Sequence, residues 1–310
     1  MSCLTPPLFP ETADYDSTTG SFLVGSFREG AGYEVARGGT SKALVHDERL
    51  RSVLGVVLDS ARSRVLVADG DVGASVRSRP GEAQKRAGIG IYDRRTGVAL
   101  SYTDLGALRP SANHLANGIT IDDAGNAYVT DSLSPLIYRI GLDGRAEIFL
   151  ENPAFAGRGI NLNGIVHHPG GYLLVVKKSD GSLFRVPLAN PSSFIRVQLP
   201  KPLVGADGVV LASATELAVV ANESLGVLTN AVYTLVSNDD WKTATLTGEH
   251  AFGRVYPTIG LIVDETLYVM HCGLDQLMLA PEAEKAGLRN TATLEVVGKS
   301  HPLRLNEPSL

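Results

Sequence analysis

The chain has 310 residues, 44% of them hydrophobic and 20% charged, which allows a sizeable core and excludes wholesale disorder. A formal net charge of -5 speaks against nucleic-acid binding, which needs a basic surface, and no apolar run approaches the roughly 18–20 residues of a membrane span. The 33 glycines fit many tight turns better than many long helices.

Met1 to Pro10 lacks a basic segment followed by an apolar stretch, so the expectation is a cytoplasmic protein, although a chain trimmed of a leader would read the same. From Glu11 onward one pattern recurs: a small or polar residue, an alternating apolar stretch, a turn, and a second apolar stretch. The copies run Glu11 to Ser26, Leu54 to Asp69, Asn117 to Ser132, Asn163 to Ser179, Asp207 to Asn222 and Ile259 to Gly273. Each reads as a β-hairpin around a signal such as Asp-Ala-Gly-Asn or His-Pro-Gly-Gly. Third and fourth strands follow, as in Leu136 to Ile140 and Ala146 to Leu150. Hairpin plus two strands is one propeller blade, and copy starts about 40 to 60 residues apart suit that unit. The reading is therefore all-β: a single domain over 1–310, a six-bladed β-propeller with four-stranded antiparallel blades around a central channel. Pro281 to Gly287 is the best short helix, and Ala292 to Val297 either completes the last blade or pairs with the N-terminal segment.

The longest gap between copies holds an insert, Gly70 to Gly88, rich in Gly, Ser, Arg and Lys. It reads as a mobile loop overhanging the face where the copies begin, either a lid or idle surface. Cys3 and Cys272 make no disulfide framework; they are two free thiols or a clasp between the chain ends.

Aligned on their first residues, the copies give Glu11, Leu54, Asn117, Asn163, Asp207 and Ile259, a ring at the top of the channel. Glu11, Asn117, Asn163 and Asp207 carry oxygen, and none of the ring is basic. Such a set is costly in a narrow channel without a partner, and a hard cation supplies one. Carboxylate and amide oxygens suit calcium, with manganese or zinc as alternatives; thiolate and imidazole, which zinc favours, are absent. Any single Asn-Gly or Asp-Gly reads as a turn, but their common phase, and Glu11 followed by Thr12, point to ligands.

On these residues the chain resembles the senescence-marker-protein, gluconolactonase and luciferin-regenerating-enzyme family, from Pro10-Glu11 to Val269. The resemblance implies a six-bladed propeller that binds calcium or another divalent ion and hydrolyses lactones or esters. It implies Glu11, Asn163 and Asp207 as metal ligands and Asn117 as a ligand or substrate contact. Where sugar-acid lactonases of the family carry Arg and Asp around that Asn, this chain has Leu115 and Gly118, which argues against a polyhydroxylated substrate. Leu54 and Ile259 make the rest of the ring apolar and favour a hydrophobic ligand.

The expected chemistry is metal-assisted hydrolysis, the cation polarising the carbonyl. Asp207 is the candidate general base, tempered by the low pKa of a coordinated carboxylate, and His271 is the other candidate. Asp131 and the Lys177-Lys178 pair lie at similar strand ends, as substrate contacts or solvated rim. His114, His167 and His168 receive no role. Two rivals stand beside hydrolysis: a cyclase or isomerase that binds a small apolar molecule over a structural metal, and a scaffold for protein partners. The acidic ring disfavours the scaffold. A closed ring leaves no exposed edge, so a monomer with a small-molecule substrate is expected.

Overall fold

The computed structural model describes residues 8–288, 292–297 and 303–304. The described strands form six four-stranded antiparallel blades. Blade 1 is β1 (Pro10–Asp16), β2 (Ser21–Ser26), β3 (Ala31–Ala36) and β4 (Ser41–His46). Blade 2 is β5 (Ser52–Asp59), β6 (Arg64–Gly70), β7 (Lys85–Asp93) and β8 (Ala99–Asp104). Blade 3 is β9 (His114–Ile121), β10 (Ala127–Asp131), β11 (Leu136–Ile140) and β12 (Ala146–Glu151). Blade 4 is β13 (Leu162–His168), β14 (Tyr172–Lys177), β15 (Ser182–Pro187) and β16 (Ile195–Arg196). Blade 5 is β17 (Ala206–Ser213), β18 (Glu216–Ser224), β19 (Val227–Val236) and β20 (Thr245–Ala251). Blade 6 is β21 (Pro257–Val263), β22 (Thr266–His271), β23 (Thr293–Val296) and β24 (Leu303–Arg304). The innermost strands β1, β5, β9, β13, β17 and β21 pack each against the next, and β21 packs against β1, so the ring closes. Blades 2 and 3 are also joined by a short parallel pairing of Lys85 with His114 and Arg86 with Leu115.

Burial explains which residues make which strand. Second strands such as Ser21–Ser26 and Tyr172–Lys177 are buried on both faces and carry continuous apolar stretches at Phe22–Val24 and Tyr172–Val176, whereas the outer strand Thr245–Ala251 alternates. The core is divided into wedges between blades: Leu23, Val53 and Val65 fill one between blades 1 and 2, and Leu174, Val209 and Val219 fill one between blades 4 and 5. The wedge between blades 6 and 1 joins Phe22, Val24 and Ala13 to Leu261, Met270 and Leu277. Among the described residues no strand from one end of the chain completes the other end's blade. Thr293–Val296 is the third strand of the last blade, so of the two placements open for that segment the structure takes this one. The seam is held by that packing, by Cys272 Sγ donating to the Pro10 carbonyl at 3.0 Å, and by an exposed Arg37–Asp264 ion pair. Cys3 lies outside the described residues, so the clasp between the two cysteines is not part of this description.

At the top of every inner strand the pairing slips, between Pro10 and Ala13, Val53 and Gly55, Leu162 and Ile165, Ala206 and Val209, and Pro257 and Ile259, with the same slip in β9 around Asn117. The Asn-Gly and Asp-Gly pairs are therefore β-bulges inside strands, not turns. Their glycines serve close approach. A Cβ on Gly55, Gly118, Gly164 or Gly208 would lie within 3.0 Å of the carbonyl oxygen of Asn117, Asn163, Asp207 or Thr258 on the next blade, which real Cβ atoms essentially never do. Gly118→Ala or Gly164→Ala is expected to cost about 2 kcal/mol or more by forcing neighbouring strands apart, read as a lowered denaturant midpoint. At the seam, Met270→Ala should cost about 2–5 kcal/mol by cavity formation, and Arg37→Ala about 0–1 kcal/mol because its ion pair is exposed; chemical denaturation of the two variants checks the contrast.

Candidate functional site

The bulges turn one residue of each inner strand toward the axis, and a cavity of about 80 Å³ lies at the channel mouth. Glu11, Leu54, Asn117, Asn163 and Asp207 all line it. A channel of about 280 Å³ continues below, walled by the six inner strands. The sixth ring position differs from the sequence expectation. The slip in β21 falls on Thr258, so Thr258 stands in register with Glu11, and both Thr258 and Ile259 line the channel below but not the mouth cavity. Thr258 is 2% exposed and its Oγ1 has no hydrogen-bond partner among the described residues.

A second ring, which the sequence reading did not draw, sits just above. It follows from the register that pairs Pro10 with Ser26, Val53 with Asp69, Ala116 with Asp131, Leu162 with Lys177, Ala206 with Ala221 and Pro257 with His271. The next residues are Phe27, Gly70, Ser132, Lys178, Asn222 and Cys272. Ser132 Oγ accepts from Asn117 Nδ2 at 3.1 Å. Lys178 Nζ lies 3.1 Å from Asp207 Oδ1 and donates also to Asn222 Oδ1. Asn222 Nδ2 donates to Asp207 Oδ2 at 2.5 Å and to the Pro257 carbonyl at 2.8 Å, and Asn163 Nδ2 donates to Asp207 Oδ1. The ammonium also stands 5.6 Å from the centre of the Tyr256 ring.

Two candidate residues lie one position short of this second ring, and alternation along a strand sends their side chains elsewhere. Asp131 is fully buried, accepting from the Leu115, Leu133 and Ser134 amides through Oδ1, while Oδ2 binds His114 Nδ1 at 2.7 Å and the Tyr138 hydroxyl at 2.9 Å. It ties blade 3 together and takes no part in the mouth. His271 faces Glu295 on β23, with Nε2 3.3 Å from Oε2, and burial lowers its pKa; it lines neither cavity, so the structure does not place it to act as a base there. Lys177 is likewise turned away, donating to the Ala154 and Ala156 carbonyls.

The cavity roof is apolar. Phe27, Val72, Leu115, Ile160 and Tyr256 line it together with Leu274 and Met278 of a short helix, α1 (Leu274–Leu279), that had no sequence signal. Val72 comes from the insert, which does overhang the mouth. It is no loose loop: Arg28 Nη1 donates to the Ala74 carbonyl at 2.7 Å, and Ser75 Oγ to the Arg28 and Arg51 carbonyls.

Glu11 is the unusual member of the ring. Its Oε2 is enclosed and has no hydrogen-bond partner among the described residues. Burial, then the nearby Asp207 charge, push its pKa up to about 8 against the pull of Lys178. Oxygen donors and an orphaned carboxylate oxygen would suit a hard cation. Asp207, however, has both oxygens taken by side-chain donors, and a lysine ammonium already stands against it. With Asp207 engaged on both oxygens and an ammonium against it, the residues present thus do not fit a divalent ion at the ring.

Folding raises the Glu11 pKa from 4.5 to about 8, so between those values the native state keeps a proton that the unfolded chain has released. Its contribution to stability is fully present below pH 4.5 and is lost as pH rises through about 8. Glu11→Gln removes that term, and thermal melts should show a flatter decline of Tm across this window than in the wild type.

No protein-family model matches the chain, and no curated protein does. Solved structures do. The allergen Mala s 1 of Malassezia sympodialis aligns over 93% of this chain and 92% of its own, with a TM-score of 0.72 and 14% identity. Regucalcin, a calcium-binding protein of Agrobacterium tumefaciens, covers 96% and 94% at a TM-score of 0.63 and 19% identity. Luciferin-regenerating enzyme covers 95% and 93% at a TM-score of 0.63 and 14% identity. The structural neighbours thus include the group that the sequence resembles, and at these identities what they show is that the chain has the six-bladed propeller fold of that group.

Proposed function

We propose that the chain is an enzyme that hydrolyses a small, largely apolar lactone or ester at the channel mouth. The observation that carries the reading is the enclosed, unpartnered carboxyl oxygen of Glu11 in the same cavity as the Lys178 ammonium, under an apolar roof. Buried polar groups without partners are costly, and their retention in a cavity suits a reacting ligand. The resemblance to lactone and ester hydrolases supports the reaction class.

In this reading the ammonium of Lys178 receives the carbonyl oxygen and stabilises the oxyanion that forms on it. Glu11, when ionised, takes a proton from the attacking water and returns it to the leaving oxygen. Asp207 positions Lys178; its hydrogen-bonded oxygens suit it less to proton abstraction than Glu11. Leu54, Leu115 and Ile160 bear on the acyl or ring carbons of the substrate and exclude water. Because the cavity is small, Met278 and Leu274 of α1 have to move for anything larger than a few atoms to enter.

The test is hydrolysis of a panel of apolar lactones and aryl esters across pH. Turnover is expected, with kcat/KM rising toward a plateau above about pH 8 and falling about 10²–10⁴-fold in Glu11→Gln while Tm stays within reach of wild type. No turnover on any member would overturn the reading. The enclosed apolar roof favours a second one, a propeller that binds a small apolar molecule and shapes its cyclisation or isomerisation, recognised as ligand-raised Tm without hydrolysis.

A further inference from the structure

We infer that Lys178 is this ring's own cation: its ammonium occupies the place toward which the ring oxygens would otherwise gather a divalent ion, so the channel mouth does not bind calcium. The resemblance implies the opposite, and the second ring is where this chain departs from it. Lys178 is 6% exposed, and its backbone is fixed on both sides, its amide donating to the Asn161 carbonyl at 2.8 Å and its carbonyl accepting from Gly205 at 2.9 Å. The side chain therefore enters the mouth from a rigid strand end and is not a surface lysine that happens to fold inward.

Its partners are arranged for a positive charge. The Asn222 amide nitrogen is flanked by two groups that can only accept, the Pro257 carbonyl and the Asp207 carboxylate. This fixes the orientation of the amide and leaves its oxygen facing Lys178. Asp207 Oδ1 at 3.1 Å and the Tyr256 ring at 5.6 Å complete the surroundings of the ammonium. Charge also speaks against a second cation: even with both carboxylates ionised, a divalent ion beside the ammonium would leave net positive charge in a buried site. Lysine removal should therefore do what metal removal does elsewhere, in reverse: uncover a cation site.

The inference shares its cavity with the hydrolase reading, but its test reads cation binding and not turnover, so the two can fail separately. Isothermal titration with calcium, after treatment with EDTA, is applied to wild type, Lys178→Met and Lys178→Met/Asp207→Asn. Wild type should show no binding and no change of Tm at about 1 mM calcium. Lys178→Met should bind about one equivalent and gain Tm with the ion, and the double variant should lose both effects. Stoichiometric calcium binding by wild type, with a Tm that falls on chelation, overturns the inference. So does a folded Lys178→Met that binds none. Should Lys178→Met fold only when calcium is present, that rescue supports it; should it not fold at all, Lys178→Gln replaces it with the same criteria.

Discussion

The structure depends on how closely the inner strands approach one another at the top of the channel. Gly55, Gly118, Gly164 and Gly208 each admit the carbonyl oxygen of the next blade's ring residue at a distance that no side chain would allow. These glycines let the strands converge, and the bulge that carries each one turns the preceding residue inward. The ring of Leu54, Asn117, Asn163 and Asp207 is thus a product of backbone packing before it is a product of chemistry. Blade 1 reaches the same geometry with Thr12 in place of glycine, which leaves Glu11 in the same inward position.

Convergence creates an electrostatic problem. Acidic and amide oxygens crowd a space of about 80 Å³ under an apolar roof. The structure answers it in two ways: one carboxyl, Asp207, is held by Lys178, Asn222 and Asn163, and the other, Glu11, is left to hold a proton at neutral pH. The resulting pair differs in character though the two share a ring: the oxygens of Asp207 are both engaged by side-chain donors, whereas an oxygen of Glu11 has no partner among the described residues. That difference in environment is what gives the site directional chemistry.

Much of this was legible from residues alone. The blades, the four oxygen-bearing ring positions and the face on which the insert lies all follow from a repeat whose phase is set by alternating apolar residues. What escaped the sequence are effects of a single residue's displacement. In β21 the slip falls at Thr258, and a Pro-Thr-Ile-Gly run gives no cue to prefer Thr258 over Ile259. Asp131 and His271 stand beside the second ring in sequence, but a strand sends neighbours to opposite faces, so the residue that follows each, Ser132 or Cys272, takes the inward place. From the sequence Lys178 is a strand-end lysine, open to either substrate contact or solvated rim, and nothing local says that it is buried with partners. Its partners, Asp207 and Asn222, lie 29 and 44 residues away in sequence and meet it only when blades 4 and 5 are packed.

The seam between the first and last blades has a consequence for how the molecule comes apart. Every other blade-to-blade joint is bridged by peptide, so two neighbouring wedges that separate remain tethered and can re-form. At the seam the described residues offer side-chain packing, a thiol-to-carbonyl bond, an exposed ion pair and a long bond from Lys285 Nζ to the Gly73 carbonyl of the insert, but no backbone pairing between strands. The ring therefore resembles a split washer, in which the gap opens first and hydrogen exchange in β21 and β22 outpaces that in β9 or β13. A chain rewired so that a loop crossed this joint, with new termini placed between blades 3 and 4, would carry its weak point to a different wedge and leave the channel, with Glu11 and Thr258 on either side of the present gap, tied together.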